Sequence, residues 1–507
     1  MNVLIVLGHP RTDSLCGALA RAYSEGASEA SVDVRELELA ELEFEQHVTT
    51  EDPTDQQMEP DLVDAQRQIR WADHLVFVYP NWWGTMPALL KGFFDRVFTP
   101  EFAFSFYEGG EGAGHEELLQ GRTAELVVTM DMPAWVYRWI YREPGTNAIK
   151  RSTLGFAGIR TTRVTPLGPV KDSTPRGRDR WLEKARQLGR SLATGPEPRR
   201  VRLKRRLVTS LKALRLQFYP MSWVAYTIGT LAAAGSTEVF SSAVYWLGFG
   251  FLFFLEATTV LTNEYFDYET DRENTFAGPF TGGSRILVDG EVSFGALRSG
   301  IAVAIALTGL FGVSVLAVGS GQPLVTGAVM GALALMAVGY TAPPLQLSYR
   351  TFGELDVATT HSIGVMLCGF LFFGGSVSNP EPWLLSAPLL LATIPSITLA
   401  GVPDYEADRI AGKETIAVRF GVDRAADVAA WTAVLAALVA VLWQLFGVVP
   451  DAYSQAIYLC VPHALALVWL LHSRLDPDET PARIDGVMAA SLSYVLWFGA
   501  IPLIGLL

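Results

Sequence analysis

Two hydrophobic rhythms divide the chain. Up to about residue 194, short apolar runs of strand length alternate with amphipathic stretches of helical length. Beyond residue 217, long apolar runs follow one another with only short polar breaks. In the first part Val3–Leu7, Val34–Leu39, Leu75–Tyr79, Ala124–Thr129 and Thr161–Leu167 read as strands. Between them, a segment opening at Ser14 and running through Ala27, then Leu62–Trp71, Ala88–Phe98, Ala148–Leu154 and Trp181–Leu192, read as helices. Strands alternating with helices predict an α/β fold with a doubly wound parallel sheet. In the second part, stretches near 217–235, 240–262, 294–318, 323–341, 355–376, 383–402, 428–448, 455–472 and 487–506 are each about as long as a bilayer requires. They predict an all-α bundle of nine transmembrane helices.

The break between the rhythms is sharp. Gly195-Pro196-Glu197-Pro198 ends the last soluble helix, which gives an N-terminal domain at 1–194, a linker at 195–216 and a membrane domain at 217–507. Arg199–Arg215 carries eight basic residues, with Leu207, Val208, Leu211 and Leu214 at helical spacing. Such a helix beside a membrane span lies on the surface, drawn to anionic lipid headgroups. With apolar spans beginning directly after it, nucleic acid is not the expected partner.

Charge orients the bundle. Of 39 Lys and Arg, 29 precede residue 217. The other ten fall in or beside the breaks 263–293, 342–354, 403–427 and 473–486, and the breaks near 236, 320, 379 and 451 carry none. The positive-inside rule therefore predicts a multi-pass protein of the cell membrane with its basic breaks and N-terminal domain in the cytoplasm. The opening MNVLIVLGHP has no basic region before its apolar run and reads as a first strand rather than a signal peptide. Three cysteines without metal-ligand spacing indicate neither a disulfide framework nor a zinc site.

The chemistry gathers in a phrase that occurs twice. Asp267-Tyr268-Glu269-Thr270-Asp271-Arg272 reappears as Asp404-Tyr405-Glu406-Ala407-Asp408-Arg409, five residues of six identical. Asn263, Asp267 and Asp271 are spaced i, i+4, i+8, and Asp404 and Asp408 repeat the spacing, so each set shares one helix face. Carboxylate ladders at the ends of two membrane helices suit Mg²⁺, which takes oxygen ligands and shares them with substrate phosphates. The cations Arg285, Arg350, Lys413 and Arg419 lie on the same predicted membrane side and complete the parts of a Mg²⁺-diphosphate site. The doubled phrase is also compatible with a transporter built by internal duplication. Against that, Glu256 and His361 are the main ionisable residues within the spans, and each reads as a satisfied interior group rather than a relay.

In the N-terminal domain, ligands of a doubly wound sheet bind at the carboxyl ends of the strands. Those ends are Gly8–Cys16, Tyr79–Gly84 and Thr129–Pro133. The first feeds a helix N-terminus that can take a phosphate. Asn81-Trp82-Trp83-Gly84 presents two indoles, which either wall a flat heteroaromatic ring or plug the core. The segments GHPRTDSLCGAL (8–19) and ADHLVFVYPNWWGTMPALLKGFFDRVF (72–98) resemble the flavodoxin-like NAD(P)H:quinone oxidoreductases. That resemblance implies bound FAD or FMN and hydride transfer from NAD(P)H to a quinone. It places His9, Ser14, Leu15 and Cys16 at the flavin phosphate, and Pro80, Asn81, Trp82, Trp83 and Gly84 at the isoalloxazine, with Thr129 beginning the third loop. The family often has Asn where Cys16 stands and a Gly-rich loop where this chain has Thr129-Met130-Asp131-Met132-Pro133.

The membrane half carries a second resemblance. NEYFDYETD with TGGSRILVDGEVS (263–293), YTAPPLQLSYRTFGEL (340–355) and PDYEADRIAGKETIAVRFG (403–421) resemble UbiA-type prenyltransferases, nearest to the 1,4-dihydroxy-2-naphthoate polyprenyltransferases of menaquinone synthesis. The resemblance implies that Asn263, Asp267, Asp271, Asp404 and Asp408 hold Mg²⁺, with the aspartates catalytic. Lys413, Arg285 and Arg350 would contact diphosphate, and the Tyr340–Arg350 loop would cover the acceptor. Many members carry YxxxK in that loop; here Tyr340 is followed by Thr341-Ala342-Pro343-Pro344, without the lysine. The expected substrates are a polyprenyl diphosphate and a naphthoate or quinone ring, or another phenolic or lipid acceptor. The fused N-terminal domain is expected to be either an active reductase or a regulatory module.

Overall fold

The computed structural model of the 507-residue chain describes residues 1–51, 55–106, 115–237, 241–274, 283–474 and 484–507. Thr281 and Gly282 of the quoted motif, with the rest of 275–282, lie outside the described residues, as do 238–240 and 475–483 of the predicted breaks. The chain separates into two compact units, Met1–Arg206 and Leu207–Leu507.

The first unit is a parallel sheet flanked by helices. Its strands are β1 (Asn2–Leu7), β2 (Asp33–Glu38), β3 (His74–Pro80), β6 (Thr123–Thr129) and β7 (Arg160–Leu167), with β4 (Phe104–Phe106) and β5 (His115–Glu117) forming a separate antiparallel pair. The sheet order is β2-β1-β3-β6-β7, parallel throughout. Every residue of β3 and β6 is buried, Glu125 included, so neither strand shows an exposed polar face alternating with an apolar one. The first helix, Leu15–Glu29, starts where Ser14 accepts from the Gly17 amide. The last long helix begins earlier than the apolar pattern predicts, at Pro175, because Thr174 caps it and proline suits the first turn. The predicted helix at Ala148–Leu154 is a wider π-helical segment, Ala148–Gly155. The β4–β5 pair has three residues in each strand, too few for alternation to be readable.

The second unit is a helical bundle. Among the described residues, seven helices are long and apolar enough to cross a membrane: Ser242–Phe266, Phe294–Val318, Gly353–Phe372, Glu381–Ala400, Val422–Phe446, Gln455–Ser473 and Asp485–Leu506. Of the nine predicted stretches, the remaining two form the helices Tyr219–Thr237 and Pro323–Gly339, the latter 17 residues long. Phe294–Val318 leaves Val303, Ile305, Leu310 and Val313 exposed, an apolar face that suits lipid rather than water. The basic stretch forms the helix Arg199–Leu214, with Leu203, Leu207, Val208 and Leu211 exposed.

Small residues set the helix spacing. Ala425, Ala429, Ala433, Ala436 and Ala440 line the buried face of Val422–Phe446, which packs along Glu381–Ala400. Tyr219–Thr237 approaches Val365–Phe372 through reciprocal glycines. A Cβ on Gly229 would stand 2.0 Å from the Met366 carbonyl oxygen, and one on Gly369 would stand 2.3 Å from that of Tyr226. Neither backbone can yield without separating the helices. Gly369→Val is therefore expected to destabilise the unit by about 1–3 kcal/mol or more, read as a lowered thermal midpoint in detergent. A wild-type midpoint would contradict the close approach.

Candidate functional site

At the carboxyl edge of the sheet, three loops are tied together at Thr129. Its carbonyl accepts from the Asn81 amide at 2.7 Å, and its hydroxyl lies 3.2 Å from Cys16 Sγ. Cys16 is buried, and burial pushes its thiol up to about 11, against the opposing Thr129 hydrogen bond, so it is a packing thiol rather than a nucleophile. Ser14 caps the following helix, whose first residue is Leu15. His9 meets Trp82 edge to face at 5.7 Å.

The aromatic loop leaves Pro80 buried at the end of β3 and turns through Trp83 and Gly84, both with positive φ. Gly84 is fixed by the Gly145 amide, which donates to its carbonyl at 2.9 Å. Trp83 is fully exposed and Trp82 nearly half so, which removes the core-plug alternative for Trp83. Asn81 Oδ1 is buried with no hydrogen-bond partner among the described residues. The exposed Trp83 indole and the unsatisfied Asn81 acceptor fit a flat ring bearing N–H donors, which is the chemistry of an isoalloxazine.

The membrane unit gathers its charges at the ends of two helices. The ladder spacing is realised in the backbone: the Asp267 amide donates to Asn263 O, Asp271 to Asp267 O, and Asp408 to Asp404 O, each at 2.8 Å. The short helices Tyr268–Glu273 and Tyr405–Ala411, which carry the two copies of the phrase, pack against each other. Lys413 joins the copies, with its ammonium 3.0 Å from Asp267 and 3.7 Å from Asp408. Burial opposes the Lys413 charge, but Asp267, Asp408 and the nearby Tyr349 and Tyr340 outweigh it, so its pKa is raised.

The remaining predicted residues divide into those in the cluster and those at its margin. Asn263 accepts from Thr341 at 2.7 Å, and Asp404 accepts from Asn274 at 2.7 Å. Arg285 donates to the carbonyls of Asp271 and Asn274, so its guanidinium holds the end of the first phrase. Arg350 is exposed and donates to Pro344 O at 3.0 Å. Sequence reasoning passed over Tyr349, which donates to Asp267 at 3.2 Å and lies beneath Lys413. The absence of a lysine in the Tyr340 loop was the available signal, since a tyrosine there faces a lysine supplied from the other phrase.

Crowding of like charges leaves a mark. Burial, then repulsion from Asp267 and Glu264, pushes Asp271 up to about 7 despite Lys413. Burial likewise lifts Asp408 to about 7, Lys413 opposing and Asp404 and Asp267 adding to the rise. A cation would relieve this, and every donor is oxygen. Among the described residues no three His, Cys, Asp or Glu side chains stand close enough to cage an ion. An all-oxygen donor set suits Mg²⁺, which keeps several waters and uses one or two carboxylates together with substrate phosphates.

The architecture is thus a flavodoxin-like α/β unit joined to a helical membrane unit with an acidic polar end. Residues 222–492 match the UbiA prenyltransferase family, and residues 1–188 match the flavodoxin-like fold. The chain belongs to the UbiA prenyltransferase family. Its N-terminal unit is 36% identical over 154 residues to a ribosyldihydronicotinamide dehydrogenase-like protein of Penicillium crustosum, covering 26% of this chain and 57% of that one. It is 29% identical over 190 residues to the human ribosyldihydronicotinamide dehydrogenase [quinone], covering 31% and 78%. A UbiA homologue of Archaeoglobus fulgidus, solved bound to GPP and Mg²⁺, aligns with a TM-score of 0.42 at 19% identity, over 57% of this chain and 99% of that one.

The raised carboxyls predict a pH dependence. A carboxyl with an ordinary pKa of 3.8 that is lifted to about 7 in the fold contributes stability that is fully present below about 4 and lost as pH rises through 7. Without divalent ions, the thermal midpoint in detergent is expected to fall between about pH 4 and 7 and to level off above that, and Asp408→Asn to flatten the fall. An unchanged slope in that variant would show that Asp408 does not carry it.

Proposed function

We propose that the chain is a bifunctional membrane enzyme. The Leu207–Leu507 unit transfers a polyprenyl group from its diphosphate to an electron-rich aromatic acceptor, 1,4-dihydroxy-2-naphthoate in menaquinone synthesis. The Met1–Arg206 unit reduces a quinone with NAD(P)H through bound FAD or FMN. The observation that carries this reading is Lys413 joining Asp267 of one acidic phrase to Asp408 of the other, in a chain of the UbiA family. In this reading Tyr219–Thr237 and Pro323–Gly339 complete a nine-helix bundle, and the positive-inside rule puts the phrases and the N-terminal unit in the cytoplasm.

Asn263, Asp267, Asp271, Asp404 and Asp408 would hold Mg²⁺, which would supply neutralising charge to the diphosphate oxygens. Asp271 and Asp408 give up their protons as they engage a cation. Lys413 then donates to the diphosphate as the allylic C–O bond breaks, meeting charge where it grows. Arg285 keeps the first phrase in place, and Arg350 meets the diphosphate from the exposed edge. The apolar helices exclude water from the allylic cation, and aromatic faces stabilise it. The acceptor ring attacks that carbon, and with a dihydroxynaphthoate the carboxylate leaves as CO₂.

In the N-terminal unit, the Ser14–Cys16 turn takes the flavin phosphate at a helix N-terminus. The Asn81–Gly84 loop would hold the ring, with Asn81 available as an acceptor. Reduction matters to both units, because only a hydroquinone-state ring is nucleophilic enough to be prenylated.

The test is an assay of purified full-length chain in detergent with Mg²⁺, geranylgeranyl diphosphate and 1,4-dihydroxy-2-naphthoate. A prenylated naphthol is expected, lost on chelation and in Asp267→Ala, with a yield that rises when NADPH is added. Product without any NAD(P)H oxidation by quinone would make the N-terminal unit a regulatory module. No product would send the acceptor assignment to other phenols.

A further inference from the structure

Glu256 and His361 take no part in the acidic cluster. Glu256 lies on Ser242–Phe266, seven residues before Asn263, so it presents on nearly the same helix face about 10 Å deeper in the unit. Its carboxylate is held at both oxygens: Oε1 is 3.3 Å from His361 Nε2, and Oε2 accepts from Ser222 at 3.1 Å. The imidazole is oriented by Val357, whose carbonyl lies 3.1 Å from Nδ1. With Nδ1–H given to that carbonyl, Nε2 and Glu256 bond only by sharing one further proton.

Three observations exceed what a satisfied interior pair requires. A cavity of about 140 Å³ adjoins the carboxylate, with Ser222 and Glu256 on one side and Tyr219, Trp223, Phe249 and Phe253 among its walls. The Tyr219 hydroxyl is buried without a hydrogen-bond partner among the described residues. His361 itself sits in a π-helical turn, Thr360–Gly364, set between the α-helical segments Gly353–Thr359 and Val365–Phe372. Single-turn π insertions are frequent at functional sites, and ionisable residues within spans are costly unless they serve one.

Resting on the prenyl-transfer reading above, we propose that this cavity binds one hydroxylated ring of the acceptor and that Glu256 accepts its hydroxyl proton. The volume matches one aromatic ring, since a cavity near 150 Å³ takes up benzene. Aromatic walls sandwich the ring, and the Tyr219 hydroxyl supplies a second polar contact. The interval of about 10 Å up to Asn263 leaves room for a second fused ring and the allylic carbon.

The step balances without any further reactant. The ring carbon bonds to the allylic carbon as the C–O bond to diphosphate breaks, and the hydroxyl proton passes to Glu256. The ring carbon then sheds its own proton to the released diphosphate, or sheds CO₂ where it bears a carboxylate, and Glu256 returns the hydroxyl proton to the ring oxygen. The hydroxyl becomes strongly acidic as the ring gains positive character, so a carboxylate suffices to take its proton. His361 is a positioning residue that acts through Glu256.

The test compares Glu256→Gln and His361→Gln with wild type in the assay above, using 1-naphthol and a polyfluorinated 1-naphthol that is ionised at the assay pH. Glu256→Gln is expected to lower kcat at least about 100-fold with the neutral naphthol, to leave KM for the prenyl diphosphate unchanged, and to regain most of its rate with the ionised one. His361→Gln is expected to lose about tenfold and to show the same rescue. Where Glu256→Gln accumulates poorly, Glu256→Asp keeps the charge but shortens its reach, with the same rescue expected. Wild-type turnover in Glu256→Gln, or equal losses with neutral and ionised acceptors, would overturn the proposal while wild-type transfer left the general reading standing. Absence of transfer by wild type to any phenol would remove both.

Discussion

A buried lysine holds together groups that would otherwise drive each other apart. Asp267 and Asp408 belong to the ends of different helices, and Lys413 stands within 4 Å of both. At that separation, two unit charges interact by about 4 kcal/mol near a protein surface. Even so, a single ammonium does not balance the gathered carboxylates, and Asp271 and Asp408 hold their protons up to about pH 7. The polar end is therefore short of positive charge. A divalent cation alone would compete with Lys413 for the same oxygens. A cation arriving with a diphosphate would not, because the diphosphate provides new acceptors for the ammonium. In the proposed reading, metal and anionic substrate would therefore be taken up together.

Much of this was legible in the chain because its signals are periodic or repeated. The doubled phrase pointed to the acidic cluster, since i, i+4 spacing survives wherever the backbone stays helical, as the Asp267, Asp271 and Asp408 amides do. The parallel sheet was legible from β3 and β6, whose complete burial leaves no alternation. What sequence did not give were the pairings between distant segments. Tyr349 reaches Asp267 across 82 positions, and Asn274 reaches Asp404 across 130. No local period encodes either contact. The π segments at Ala148–Gly155 and Thr360–Gly364 were invisible for a related reason: one extra residue in a turn changes packing without changing composition.

Glu256 and His361 illustrate the limit from the other side. Read singly along the chain, each is an ionisable residue in an apolar run, and a satisfied interior group is the economical explanation. The pairing at 3.3 Å agrees with that explanation, but the adjoining cavity and the unpartnered Tyr219 hydroxyl do not. A pair that served packing alone would be enclosed by side chains, because a void forfeits dispersion contacts and an orphaned hydroxyl loses its hydrogen bond. Space left beside a charged pair is the feature that separates a site from a strut.

The same reasoning gives the fusion a chemical basis. Electrophilic prenylation needs electron density in the ring, and a quinone has lost the two electrons that supply it. A ring that waits in a membrane exposed to oxidants drifts toward the unreactive state. Under the proposed reading, a reductase on the same polypeptide would be present at one copy per transferase, and reducing capacity would scale with prenylating capacity without separate regulation. Glu256 belongs in this argument, because a carboxylate can accept a proton from a hydroquinone but finds none on the quinone. The proposed acceptor pocket would therefore discriminate by oxidation state through one hydrogen bond, where a site that hydrogen-bonds a substrate hydroxyl strongly disfavours the analogue lacking it.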